Sequence, residues 1–275
     1  MNCWCISLNT KKHFPRRRFG QNFLHDPGVI RRIVASIAPK PGDHLVEIGP
    51  GQGAITRELL SATGRLDAIE LDRDLIKPLA KLCAPLGELR IHNCDALKFN
   101  LCELTEAGEP LRVVGNLPYN ISTPILFHLL DHAECVKDMH FMLQKEVVDR
   151  MAADPGSKTY GRLSVMLQAR CDVIPLFDIG PGAFTPAPKV DSAFVRLEPH
   201  CTARYQIEDY PLFQRLVTAA FSQRRKTLRN GLRNLLAEAE IRTAGVDPGG
   251  RAEQLSVAAF AALANAAACK SGTAS

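Results

Sequence analysis

Apolar positions at Val29, Ile30, Ile33, Val34 and Ile37 recur at helical spacing. They predict a helix that starts at Asp26-Pro27 and stops before Pro39 and Pro41-Gly42. Residues 44–48 then form a short apolar run that reads as a buried strand. Glycines within 49–53 turn the chain into a helix over 54–60. A second strand is expected at 65–70, a third at 89–92, a fourth at 111–114 and a fifth at 139–143. Residues 74–82 between the second and third strands have helical spacing, with Pro78 as an interruption. Ser122 or Thr123 is expected to cap the helix after the fourth strand, with Pro124 in its first turn. Strands alternating with helices imply an α/β fold: a doubly wound, mostly parallel, Rossmann-like sheet.

The pattern changes towards the C-terminus. Asp154-Pro155-Gly156-Ser157 reads as an exposed loop, 160–169 as a helix, and 173–177 and 193–197 as paired late strands. After Tyr210-Pro211 the spacing is helical throughout, and Ala-rich near the end. These changes divide the chain into a basic extension (1–19), an α/β domain (20–200) and a smaller all-α domain (201–275), with the boundary between about 199 and 208.

Two motifs at strand ends carry candidate chemistry. Glu47-x-Gly49-x-Gly51-x-Gly53 lies at a strand-to-helix turn, where glycines permit a sharp bend and close backbone approach. Its Gly-x-Gly-x-Gly spacing differs from a dinucleotide fingerprint and suits the methionine end of S-adenosylmethionine. Glu70 ends the second strand, where a carboxylate can accept both ribose hydroxyls. Asp95 follows the third strand and reads equally as an acceptor for the cofactor's adenine amine or as a helix cap.

Asn116-Leu117-Pro118-Tyr119 ends the fourth strand. An exocyclic amine is a poor nucleophile because its lone pair is delocalised into the ring. Two acceptors that bind the amine hydrogens free that lone pair. The Asn116 side-chain oxygen and a carbonyl at or near Leu117 are the candidates. Pro118 holds the residue before it extended, and Tyr119 offers a ring face on which a base can stack. Gly20-Gln21-Asn22-Phe23-Leu24 reads either as a lid over the cofactor or as a strap on the core. Phe184, in a stiff Gly- and Pro-rich loop, reads either as an exposed ring for stacking on a base or as a plug at the domain junction.

Composition narrows the partner. The net charge of +5 is uneven: residues 1–19 hold five basic groups and no acid, and 199–275 hold ten basic and six acidic groups. A neutral-to-acidic body between basic flanks suits a polyanion. Arg224, Arg225, Lys226, Arg229 and Arg233 cluster within 222–233, a stretch without Asp or Glu. On one continuous helix, Lys226, Arg229 and Arg233 would share a face able to contact RNA phosphates. The nine cysteines include no Cys-x-x-Cys pair, so neither zinc nor a disulfide framework is expected, and reduced thiols in a cytoplasmic protein are. No apolar run approaches the ~20 residues that span a bilayer.

The chain resembles the ribosomal RNA adenine dimethyltransferase family. The resemblance rests on Gly-Gln-Asn-Phe-Leu at 20–24, Val-Glu-Ile-Gly-Pro-Gly-Gln-Gly at 46–53 and Asn-Leu-Pro-Tyr at 116–119. Phe-Thr-Pro-Ala-Pro-Lys-Val-Asp-Ser at 184–192 and Phe-Ser-Gln-Arg-Arg-Lys-Thr-Leu-Arg-Asn at 221–230 complete it. It is nearest to the bacterial branch that dimethylates two adjacent adenines near the 3′ end of 16S rRNA. The resemblance implies an S-adenosylmethionine site built from Asn22, Leu24, Gly49, Gly51, Glu70, Asp95 and Asn116. It implies that Asn116 and Tyr119 face the target adenine, with Phe184 stacked on its other side. It also implies a partner in 16S rRNA of the small ribosomal subunit, and a monomer is expected. Methylation of large-subunit RNA and a non-catalytic ribosome-assembly factor on the same fold are the competing readings.

Overall fold

The computed structural model describes residues 21–105, 109–119, 121–223 and 226–272. The buried runs become one seven-stranded sheet. Its parallel part consists of β2 (Leu45–Ile48), β3 (Arg65–Ile69), β4 (Glu88–His92), β5 (Leu111–Asn116) and β6 (Val136–Gln144). β9 (Ser192–Pro199) pairs antiparallel with β6, and β7 (Cys171–Ile179) antiparallel with β9. The order is β4-β3-β2-β5-β6-β9-β7, so the direction of winding reverses between β2 and β5. Ligands of open α/β sheets bind at such a reversal, outside the carboxyl ends of the strands. β1 (Phe23–Leu24) pairs antiparallel with β8 (Phe184–Thr185) in a separate two-stranded sheet.

Both faces of the main sheet are covered, which is why its strands read as nearly continuous apolar runs. On one face Val46, Val113, Met139 and Phe141 pack with Ile125, Leu126 and Leu129 of α4 (Ser122–Asp131). On the other, Leu45, Leu66, Ala68 and Val114 pack with three helices: α1 (Pro27–Ile37), α2 (Thr56–Thr63) and α3 (Arg73–Cys83). Asp26 caps α1, its Oδ1 accepting from the amides of Gly28 (2.7 Å) and Val29 (2.9 Å). Pro78 lies exposed inside α3, while Leu75, Leu79 and Cys83 bury the other side of that helix. After α5 (Lys145–Met151), α6 (Arg162–Gln168) contributes Val165 and Met166 to a separate helical core. That core holds Phe213, Leu216 and Val217 of α7 (Tyr210–Phe221) and Phe260 and Leu263 of α10 (Val257–Gly272). Among the described residues, no helix is long and apolar enough to cross a membrane.

Several expectations are corrected. Ser122 does not cap α4; Ile121 occupies that position without a side-chain bond, and Ser122 is the first helical residue, its hydroxyl donating back to the Tyr119 carbonyl (3.3 Å). The expected absence of disulfides is overturned by a Cys102–Cys135 bridge. These cysteines are 33 residues apart, and the fold brings two short 3-10 turns, Leu101–Leu104 and Ala133–Cys135, side by side. Close spacing in sequence does not mark such a pair. The basic stretch is not one helix either. α7 ends at Phe221, Thr227 forms an isolated bridge with Arg251, and α8 (Leu228–Gly231) is only four residues long. Lys226, Arg229 and Arg233 therefore do not form a single helical stripe, although all three are exposed. Arg229 also finds an acid from outside the stretch, Glu238 at 3.9 Å on α9 (Glu238–Thr243). Arg224 and Arg225, like the basic arm within 1–19, lie outside the described residues.

The two central strands are fixed at both ends. At the amino ends, buried Arg112 of β5 donates to Asp138 (2.9 Å), to Asp43 (2.7 Å) and to the Ile37 carbonyl at the end of α1 (2.7 Å). At the carboxyl ends, Ile48 faces Gly115 in the parallel register. A Cβ on Gly115 would lie 2.5 Å from the Ile48 carbonyl oxygen, a backbone atom that cannot swing away. Gly115→Ala is therefore expected to push β5 off β2 and to destabilise the protein by about 1–3 kcal/mol, the usual cost of overpacking. Urea unfolding should show a lower midpoint with an unchanged slope.

Candidate active site

The reversal of winding opens a cleft of about 380 Å³. Its floor is the turn after β2, where Gly49, Gly51 and Gly53 adopt φ of +68°, +58° and +81°. Only Gly51 and Gly53 are also crowded: a Cβ on Gly51 would meet the Phe23 ring at 3.2 Å, and one on Gly53 would meet Leu79 at 2.9 Å. Gln21, Asn22, Phe23 and Leu24 form one wall. That segment acts as both strap and wall. The β1–β8 pairing and the His25 amide donating to the Ala183 carbonyl (2.9 Å) hold it in place.

Glu70 follows β3 and is buried. Its Oε1 accepts from the Asp72 amide (2.8 Å) and its Oε2 from the Gly51 amide (3.2 Å). Each carboxylate oxygen keeps a further lone pair, enough for two hydroxyls of a bound ribose. Burial pushes its pKa up, and the two amides oppose that. Asp95 also lines the cleft; its Oδ1 accepts from the Leu97 amide (3.0 Å) in a turn, not at an α-helix start.

Asn116 ends β5 and lines the cleft beside that wall. Its amide nitrogen donates to the Asn22 carbonyl (3.0 Å). This bond commits the nitrogen and presents the Asn116 oxygen as the acceptor. The Leu117 amide donates to the Met142 carbonyl (3.2 Å), and the Leu117 side chain is buried. Tyr119 shares a hydrogen bond of 2.7 Å with the Ser192 hydroxyl. Burial raises the phenol's pKa, so the ring stays neutral across physiological pH.

The structure thus brings Asn22, Leu24, Gly49, Gly51, Glu70, Asp95, Asn116, Leu117 and Tyr119 around one cleft. Phe184 is the exception. The expected exposed ring is only 3% accessible, paired across from Leu24 in the core behind the strap, and it does not line the cleft. The residues around Phe184 give no local sign that β8 pairs with β1 and turns the ring inward.

Residues 12–268 match the family described as "Ribosomal RNA adenine dimethylase". This chain belongs to that family. A relative from Pseudomonas aeruginosa named "Ribosomal RNA small subunit methyltransferase A" is 58% identical over 255 residues, covering 92% of this chain and 95% of its own. One of the same name from Xanthomonas campestris is 59% identical over 250 residues, covering 91% and 95%. Among solved structures, a dimethyladenosine transferase from Plasmodium falciparum superposes with a TM-score of 0.73 at 26% identity, covering 88% of this chain and 95% of that one. The 23S rRNA methyltransferase ErmE superposes at 0.71 and 25% identity, covering 89% and 99%. The expected Rossmann-like methyltransferase fold and the expected rRNA adenine dimethylase class are both borne out.

For a ribosomal RNA adenine dimethylase, the least anticipated group in the cleft is Glu47. It lies in the middle of the buried run of β2, and its Oε2 has no hydrogen-bond partner within the protein. Burial, with the nearby Glu70 charge adding to it, pushes the carboxyl up to about 8. An acid inside an otherwise apolar strand was the available signal. The orphaned oxygen and the glycine turn beside it fit a cationic guest with a flexible tail. The folded protein thus keeps a proton on Glu47 that the unfolded chain releases near 4.5, so this group's contribution to stability falls as pH rises from 4.5 to about 8. Glu47→Gln carries no such proton. Its thermal stability relative to the parent should therefore rise steadily between pH 5 and pH 8. A pH-independent difference would mean that Glu47 ionises normally.

Proposed function

We propose that this protein uses S-adenosylmethionine to dimethylate N6 of two adjacent adenines in a hairpin near the 3′ end of 16S rRNA. It would do so on the small ribosomal subunit in the cytoplasm, as part of small-subunit biogenesis. The observation that carries this reading is the Asn116 amide in the lining of the cleft, its nitrogen held by the Asn22 carbonyl so that its oxygen is left as the acceptor. The choice of small-subunit RNA is supported by the names of relatives at 58–59% identity, against 25% for the large-subunit enzyme ErmE.

Gly49, Gly51 and Glu70 would hold the cofactor's methionine and ribose, with Asn22, Leu24 and Asp95 along its length. When bound, that cofactor supplies an electrophilic methyl group on a positively charged sulfur. The protein's part is to place the amine. Asn116 Oδ1 and a carbonyl at or near Leu117 accept its two hydrogens, which draws the nitrogen towards a tetrahedral shape and releases the lone pair. Tyr119 supports the base by stacking. No strong base is required, because the nitrogen becomes acidic once methylated. Positioning and charge stabilisation therefore carry the catalysis.

Asn116→Ala should lower the turnover number by about a hundredfold or more, comparable to the loss of a preorganised charge-stabilising group. Binding to undermethylated small subunits should largely survive, because most of that affinity comes from distributed phosphate contacts. Labelled methyl transfer followed by mapping of the modified nucleotides would check both the rate and the site. Near-normal turnover would remove Asn116 from the mechanism.

Residues 201–275 form the proposed RNA-binding domain, with Arg224, Arg225, Lys226, Arg229 and Arg233 on phosphates. Replacing Arg224, Arg225 and Lys226 together with Ala should weaken subunit binding and leave S-adenosylmethionine binding intact. Filter binding across a salt series should give a slope shallower by roughly 0.7–0.9 for each phosphate no longer neutralised. An unchanged affinity and slope would move the RNA surface elsewhere, with Arg16, Arg17 and Arg18 next in line.

A further inference from the structure

Ser192 is an unexpected part of the site. It is fully buried at the end of the 184–192 motif, and that motif does not show what its hydroxyl meets. It is the first residue of β9, held between two strands: it faces Gln144 of β6 on one side and Ile179 of β7 on the other. Just before it, the Asp191 carbonyl accepts from the Lys145 amide (2.9 Å). The backbone that carries its hydroxyl is therefore held by both neighbouring strands and by the start of α5.

Tyr119 is mounted very differently. It lies in the turn between β5 and α4, outside regular structure. Its ring can rotate about two side-chain torsions, and only its phenol oxygen offers a polar handle. That oxygen is 2.7 Å from Ser192 Oγ, across 73 residues of sequence. A serine serving only to fill space could be alanine, and a buried hydroxyl without a partner is costly. The pairing satisfies the hydroxyl and ties a loop-borne ring to the sheet.

The geometry points to Ser192 as the positioning residue that sets the plane of the Tyr119 ring for the incoming target base. This rests on the reading of Tyr119 as a stacking face. Ser192 itself touches neither the cleft nor the reacting atoms. A preset ring spares the enzyme the cost of ordering it when the base arrives, so the contribution belongs to turnover on RNA and not to cofactor binding.

The test is a double-mutant cycle on Ser192→Ala and Tyr119→Phe, with Tyr119→Leu as a separate arm. Methyl transfer to undermethylated small subunits gives kcat and KM. Calorimetry gives S-adenosylmethionine affinity, and thermal unfolding confirms that each variant is folded. Each single variant should lower kcat by roughly three- to tenfold, as expected when one net hydrogen bond that holds the ring in place is lost. The double variant should be no worse than either single one, and cofactor affinity should stay at the parent value. Additive losses would overturn the inference, as would a parental kcat in Ser192→Ala. Tyr119→Leu separates the two ideas. If it loses activity while Ser192→Ala does not, the ring matters and Ser192 does not position it. If Tyr119→Leu retains full kcat, the stacking role itself fails, and the positioning role with it.

Discussion

The close parallel pairing of β2 with β5 is the constraint on which the site depends. It places Ile48 opposite Gly115, with no room for a side chain between the strands. The residue after β2 opens the glycine turn, and the next on β5 is Asn116. In the proposed reaction, the two chemistries that must meet, a methyl donor and a planar amine, would thus be carried on adjacent strand ends. Arg112 reinforces this from the other end of the sheet by joining β5, β6, the start of β2 and the end of α1 through one buried guanidinium. A buried charge of this kind is tolerated because its hydrogen-bonding capacity is met by Asp43, Asp138 and a carbonyl.

Around that frame, the site is assembled by backbone groups as much as by side chains. The Asn22 carbonyl decides which end of the Asn116 amide is free. The Gly51 and Asp72 amides hold the Glu70 carboxylate in place. The strap that contributes Asn22 is fixed by a two-residue strand pairing and by the Phe23 ring packed against Gly51. The proposed catalysis by placement would need this stiffness, since a shift of about 1 Å at the reacting atoms can cost two orders of magnitude in rate.

Electrostatics divides the cleft. Burial raises both carboxyls, but two amides oppose the rise at Glu70, whereas Glu47 has an unpartnered oxygen and keeps its proton near neutrality. Two carboxyls close together in a low-dielectric cleft cannot both ionise cheaply. The division makes the cleft sensitive to a positively charged guest.

Much of this was determined by sequence alone. Apolar runs with turns between them specified the strands and their parallel winding, because a strand buried on both faces needs apolar residues on both sides. The glycine turn, Glu70 and Asn116-Leu117-Pro118-Tyr119 were legible because strand ends and positive-φ turns leave strong local marks. Tertiary structure alone decided the rest. The burial of Phe184, the bridge between Cys102 and Cys135, the broken basic helix and the bond from Tyr119 to Ser192 all depend on partners distant in sequence. A local window records what one segment prefers; it holds no information about which distant segment will lie against it. Only the folded chain settles which buried group meets a partner and which is left free to act.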